Sequence, residues 1–166
     1  MLLARRGYEV LLLDKARFPS YTVSTHYIHQ PGVAHLREWG LLDRVRASGC
    51  PPMTEIAWDI EGIRFAGHLP TPDGVPEAFG PRRRILDAIL VEGAVRAGAE
   101  FRSGFAVKDV VWDEDRVVGI QGRAHGRKTA TERARVVIGA DGLRSTVATA
   151  VKAATYEVHA PRTSAY

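Results

Sequence analysis

Gly139-Ala140-Asp141-Gly142-Leu143-Arg144-Ser145 is the stretch of this 166-residue chain whose residue types and spacing most directly offer chemistry. It follows the β-branched run Val136-Val137-Ile138, which predicts a short buried strand. Gly-Ala-Asp-Gly predicts a tight turn in which backbone can approach a ligand closely. Ser145 is placed to N-cap a helix starting at Thr146. A strand, a Gly/Asp turn and a helix N-terminus together suit phosphate, because unpaired N–H groups and the helix dipole favour an anion. An ordinary strand-turn-helix corner, with Asp141 as a turn residue, would use the same amino acids.

A second candidate lies near the start. Tyr8-Glu9-Val10-Leu11-Leu12-Leu13-Asp14-Lys15 predicts a buried strand ending in a carboxylate, and a carboxylate there can accept hydrogen bonds from both hydroxyls of a ribose. Leu2-Leu3-Ala4-Arg5-Arg6 predicts the last turns of a helix, with basic residues at its C-terminus and Gly7 in the C′ position. Helix end, Gly, strand, acid is the second half of a βαβ dinucleotide-binding unit. The glycine fingerprint of such a unit lies roughly 20 residues before the acid, which from Asp14 runs past Met1, and no G-x-G-x-x-G occurs in the chain. The expectation is therefore a fragment lacking the first strand and its glycine loop.

A third candidate is the basic start of an amphipathic helix. Ile85, Leu86, Ile89, Leu90 and Ala94 recur at helical spacing, and Gly98 ends the run. Arg82, Arg83 and Arg84 stand at its N-terminus, where the helix dipole disfavours cations and a bound anion would compensate. Arg82 and Arg83 read as a solvated basic start. Arg84 is the one assigned to a ligand.

These three stretches together resemble the FAD-dependent oxidoreductases and class A flavoprotein monooxygenases, including the geranylgeranyl-reductase-like and halogenase-like branches. Residues 139–145 are similar to the family's Gly-Ala-Asp-Gly-x-x-Ser motif, whose Asp lies near the diphosphate and ribityl chain of FAD. The resemblance thus assigns Asp141 and Gly142 to the cofactor. The helix resembles the family's Arg-x-x-Leu-x-x-x-Leu segment, in which the Arg faces FAD, and Arg84 is placed there as Arg84-x-Leu86-Asp87. Phe18-Pro19-Ser20-Tyr21 and the residues up to His29 resemble the segment that runs along the flavin. The resemblance implies contacts from Asp14 and Lys15 to the ribose end, from Arg17 to the diphosphate, and from the backbone of Val107 to the adenine. It also implies NAD(P)H as electron donor and a small organic substrate. It names no catalytic acid, base or nucleophile.

The elements that must position these residues follow from pattern. Residues 30–39 predict a helix with Pro31 near its start and Gly40 after its end, and residues 41–45 predict a short helix. Residues 54–60 alternate polar and apolar and continue across Glu61-Gly62 into residues 63–66, as a hairpin does. A Pro/Gly-rich loop spans residues 70–81. Residues 106–112 and 116–121 predict a second hairpin across Asp113-Glu114-Asp115, and residues 131–138 a further strand. The expected fold is α/β: an incomplete Rossmann-like FAD-binding domain with a parallel sheet, an antiparallel meander and part of an inserted substrate-domain β-sheet. The expected division is 1–50 FAD-binding domain, 51–80 substrate-domain excursion, 81–152 FAD-binding domain continued, and 153–166 the start of a return to the substrate domain.

Composition narrows the classes. The hydrophobic share of 45% and the charged share of 25% are ordinary for a soluble globular domain. The net charge of +4 comes with scattered arginines and no aromatic-interleaved basic stripe, which argues against nucleic acid as partner. The single cysteine, Cys50, excludes an internal disulfide and fits a reducing compartment, so a cytoplasmic location is expected. No apolar run approaches 18 residues, so no membrane span is expected. His26, His29 and His35 have no Cys or acidic partner at ligand spacing, so no metal is expected.

Two other readings compete. The chain could be a non-catalytic remnant that cannot bind FAD alone, or that pairs with another polypeptide through an unpaired sheet edge beside Val10. It could also be an NAD-binding domain without flavin, which the two extra hairpins disfavour.

Overall fold

The computed structural model describes residues 1–21, 27–68, 71 and 74–159. A four-residue helix α1 (Leu2–Arg5) opens the chain. It closes through Gly7, at φ +83, a left-handed conformation that glycine adopts without steric cost. The Gly7 and Tyr8 N–H groups donate back to the carbonyls of Ala4 and Leu3, which satisfies the helix's last acceptors. Strand β1 (Leu11–Asp14) follows, so the expected helix-Gly-strand-acid order holds. The expected burial of this strand does not: Tyr8 and Leu12 are exposed.

Helices α2 (Gln30–Glu38) and α3 (Leu42–Arg46) come next, with Pro31 in the first turn of α2 and Gly40 ending it at φ +71. Strand β2 (Pro52–Met53) precedes a hairpin of β3 (Glu55–Ile60) and β4 (Ile63–His68). Glu61 and Gly62 turn the hairpin with φ of +52 and +84, the primed geometry that matches strand twist, and Asp59 Oδ1 accepts the Gly62 N–H at 3.2 Å. Trp58 faces Phe65 and Ile60 faces Ile63 across the ladder. The residue alternation thus gathers the apolar side chains on one face, and these four are all exposed.

The stretch expected as loop carries strand β5 (Ala78–Phe79), which pairs with β2. Phe79 also exchanges two backbone hydrogen bonds with Ile28. Helix α4 (Arg83–Arg96) and strand β6 (Glu100–Ser103) complete this part. β6 pairs with β1 in a parallel pair, and the Glu100 N–H donates to the Val10 carbonyl at 2.9 Å. Val33, Leu36, Leu42, Val45, Phe79, Leu86 and Ile89 form one buried cluster of α2, α3, α4 and β5. The Arg46 guanidinium pairs with the largely buried Glu77 beside it.

Strands β7 (Phe105–Asp113), β8 (Arg116–Ala124) and β9 (Ala130–Arg133) make the expected antiparallel meander, in the order β7-β8-β9. Helix α5 (Thr146–Ala150) follows. The strand expected over 131–138 ends at Arg133. Val136 and Ile138 are 72% and 68% exposed and belong to no strand. A β-branched run favours extended backbone, but a strand needs a neighbour for its N–H and C=O groups, and this run joins no ladder among the described residues.

The chain divides into two compact units. One holds residues 1–12 and 16–103, the other residues 13–15 and 104–166. Among the described residues no helix is long and apolar enough to cross a membrane.

Candidate cofactor-binding residues

In the first unit, the candidate residues gather where the N-terminus of α4 meets the loop after β1. Arg84 Nη1 donates to the Tyr21 hydroxyl at 3.1 Å, and its guanidinium carbon lies 5.1 Å from the centre of the Tyr21 ring. The cation is thus held by a hydrogen bond and by the ring face. The same loop is anchored by Phe18, whose ring meets Phe101 of β6 edge-on at 5.2 Å. Arg17 lies one residue before that anchor and is exposed. An open cleft of about 440 Å³ adjoins this corner, lined by Pro19, Arg84 and Ile85 together with Arg44, Ser48 and Glu92. Arg44 and Glu92 of this lining pair with each other.

The neighbouring Arg83 is not the solvated residue expected. Its Nε donates to Asp87 Oδ1 at 2.8 Å and its Nη2 to Oδ2 at 3.0 Å. The Asp87 hydrogen bonds hold the Arg83 pKa above its ordinary value. The i,i+4 spacing of Arg83 and Asp87 on a helix was the available sequence signal. Nothing in the sequence pointed to Tyr21 and Arg84, which are 63 residues apart.

In the second unit, Asp14 is the last residue of β1, with exposed Lys15 after it. Val107 lies in β7 opposite Gly122, and the ladder register shifts between Val107 and Asp109. That β-bulge takes Lys108 out of the ladder, a local irregularity of the kind that re-aims backbone groups.

The Asp141 turn differs in one respect from its expected chemistry. Asp141 Oδ1 accepts from the Ser145 hydroxyl at 2.5 Å, and Oδ2 accepts from the N–H groups of Thr146 at 2.6 Å and Val147 at 3.3 Å. Ser145 Oγ accepts the Ala148 N–H at 2.9 Å, so Ser145 is the expected N-cap. The donors of the α5 N-terminus are therefore occupied by the chain's own oxygens rather than presented to phosphate. Gly142, at φ +83, has open space where a side chain would stand. The turn leaves open space at Gly142, and the helix-end N–H groups are taken by Asp141 and Ser145.

No group of three or more His, Cys, Asp or Glu with the geometry of a metal site occurs among the described residues. His26 lies outside those residues.

Comparison with known proteins matches residues 1–165 to the family model described as "FAD binding domain". The chain is 31% identical over 149 residues to rifampicin monooxygenase of Rhodococcus hoagii, covering 86% of this chain and 28% of that protein. It is 30% identical over 152 residues to digeranylgeranylglycerophospholipid reductase 2 of Methanopyrus kandleri, covering 87% of this chain and 34% of that protein. Among solved structures, a myxobacterial FAD-dependent chondrochloren halogenase superposes with a TM-score of 0.77 at 26% identity, covering 89% of this chain and 35% of that one. The chain thus spans about a third of the length of these relatives. A match over nearly every residue, with α/β architecture and an antiparallel meander, leaves one assignment: this chain belongs to the FAD-binding-domain family of flavin-dependent oxidoreductases and monooxygenases.

Proposed function

We propose that this chain supplies much of the FAD-binding region of a flavin-dependent oxidoreductase acting on a small organic substrate, of the monooxygenase or reductase type. The observation that carries this reading is the Arg84–Tyr21 contact, which sets a cation at the loop following β1. The donor set suits the cofactor: carboxylate Asp14 for ribose hydroxyls, and Arg17 and Arg84 for phosphate or flavin-edge oxygens. Lys15 adds charge at the ribose end, the Val107 backbone meets the adenine, and Gly142 lets the chain approach the diphosphate. Asp141 shapes that turn through α5. FAD, when bound, supplies the redox chemistry, and the protein orients it. NAD(P)H is the proposed electron donor. The rifampicin monooxygenase and the lipid reductase among the relatives support the two branches.

The second reading is a chain that cannot retain FAD alone. It is favoured by Val136 and Ile138, exposed immediately before the Asp141 turn, and it would have the outer edges of the β1–β6 pair recruit another strand. Titrating FAD into the purified chain while following flavin fluorescence separates the two. Saturable quenching, weakened by both Asp14→Ala and Arg84→Ala, supports the first reading. Saturable binding that neither substitution touches would sink the assignment of these residues. Absence of binding would favour the second reading.

A further inference from the structure

We propose that the cleft between α3 and α4 binds a small hydrophobic carboxylate, with Arg44 recognising its acid group. This inference does not rest on the FAD-binding reading.

The cleft is a seam between two helices. From α4, Ile85, Ala88 and Glu92 stand at i, i+3 and i+7 and line it together. Ala47, the C-cap of α3, and Ser48 join them from the end of that helix. The two helices close on each other through Leu42, Val45, Leu86 and Ile89 of the buried cluster. Alanine at 47 and at 88 puts only short side chains into the seam beside that cluster, and the space is left open. Its volume of about 440 Å³ falls within the range of small-molecule sites, about 300–1,000 Å³. The carbon lining from Pro19, Ala47, Ile85, Ala88 and Ile89 suits an apolar body.

Charge selects the polar end. The lining carries two cations, Arg44 and Arg84, and one anion, Glu92. Arg84 leans on Tyr21. The Arg44 side chain is 28% exposed against 52% for Glu92, so water screens the cation less than the acid. A guanidinium carries five N–H donors. Arg44 spends Nη2 on Glu92 and Nη1 on the Ile89 carbonyl at 3.4 Å, longer than an ordinary N–H···O bond. That leaves three N–H groups for a carboxylate. The Ser48 hydroxyl donates to the Val45 carbonyl at 2.6 Å, so its proton is committed and recognition of an anion falls to the guanidinium. An amine would find little to attract it, because Glu92 is held by Arg44 and lies 3.9 Å from Arg96.

The test is titration of octanoate into the full chain, followed through amide chemical shifts in heteronuclear NMR spectra, with octylammonium as the opposite-charge control. Saturable shifts centred on Ala47, Ser48 and Ala88 are expected, and octylammonium should bind at least about threefold more weakly. Ala88→Leu and Ala47→Leu, which each put a larger side chain into the seam, should weaken octanoate about fivefold or more. Arg44→Gln should weaken it about threefold. Glu92→Gln should tighten it about twofold by releasing Nη2 of Arg44, a gain that damage to the fold would not imitate. Circular dichroism checks that each variant keeps its helices. No saturable shift, or shifts confined to the exposed apolar face of the β3–β4 hairpin, would overturn the proposal. Equal affinity for octylammonium, unchanged affinity in both leucine variants, or a Glu92→Gln variant no tighter than wild type would do the same. Displacement of octanoate by saturating FAD would return the cleft to the cofactor and end the proposal, whereas simultaneous binding of the two supports a separate site.

Discussion

The carboxylate of Asp141 accepts from the Ser145 hydroxyl and from the N–H groups of Thr146 and Val147. The Ser145 hydrogen bond, helped by the backbone donors and opposed by partial desolvation, holds the Asp141 pKa below its ordinary value of 3.8. A depressed acid stabilises the folded state above its unfolded pKa, about 3.9, and that contribution is lost as pH falls through the lower folded value. Asp141→Ala should therefore cost about 1 kcal/mol at pH 7, the usual net value of a lost intramolecular hydrogen bond. The gap to wild type should close as pH drops below about 4. Thermal melts of both proteins at pH 7 and pH 3 would show this, and an equal gap at both would remove the carboxylate from the account. The type and place of this residue were legible in sequence, since Gly-Ala-Asp-Gly before a Ser-capped helix marks a turn. The direction of its carboxylate was not. A phosphate and a side-chain carboxylate are alternative acceptors for the same N–H groups, and which one takes them is decided by local geometry.

At the scale of elements, β8 has a sharper constraint than its neighbours. A Cβ on Gly119 would lie 2.3 Å from the Glu132 carbonyl oxygen of β9, and one on Gly122 would lie 2.5 Å from the Ala106 carbonyl oxygen of β7. Close strand approach, not left-handed backbone, demands glycine at both places. Gly119→Ala should force β8 and β9 apart and cost about 1–3 kcal/mol, as overpacking does. Urea unfolding followed by circular dichroism would measure it, and an unchanged midpoint would mean that β9 yields without penalty. Elements whose partners lie nearby in sequence were readable. The β3–β4 hairpin announces itself through Ile56, Trp58 and Ile60 in alternation before Glu61-Gly62, and β7–β8 through Asp113-Glu114-Asp115. The run at 136–138 announced a strand just as clearly and is not one, because its β-branched residues encode a preference whose realisation depends on a neighbouring chain. The β2–β5 pair escaped notice because each strand is two residues long, too short for any period to appear.

At the scale of the whole molecule, the cations proposed for FAD depend on a core that sequence pattern located only in part. Leu86 and Ile89 of α4 were expected inside from helical spacing. Phe79 sat in what read as a Pro/Gly-rich loop, yet it is 1% exposed and among the largest fully buried side chains. It joins α4 to α2 and α3 in one cluster, and its backbone is locked to Ile28. Arg84 rides on a helix whose inner face rests against that cluster, so its placement inherits that rigidity. Phe79→Ala should cost about 3–5 kcal/mol through lost transfer energy and the cavity left behind. A domain of this size has a total stability of about 5–15 kcal/mol, so the variant should lie near its unfolding threshold at 37 °C. Since FAD binds the folded form only on this reading, saturating FAD should raise the variant's midpoint by mass action, and more so at higher ligand concentration. Differential scanning fluorimetry across an FAD series would show the shift. A Phe79→Ala midpoint equal to wild type would mean that the core tolerates the cavity. A lowered midpoint that FAD leaves unmoved would separate the stability of this core from cofactor binding.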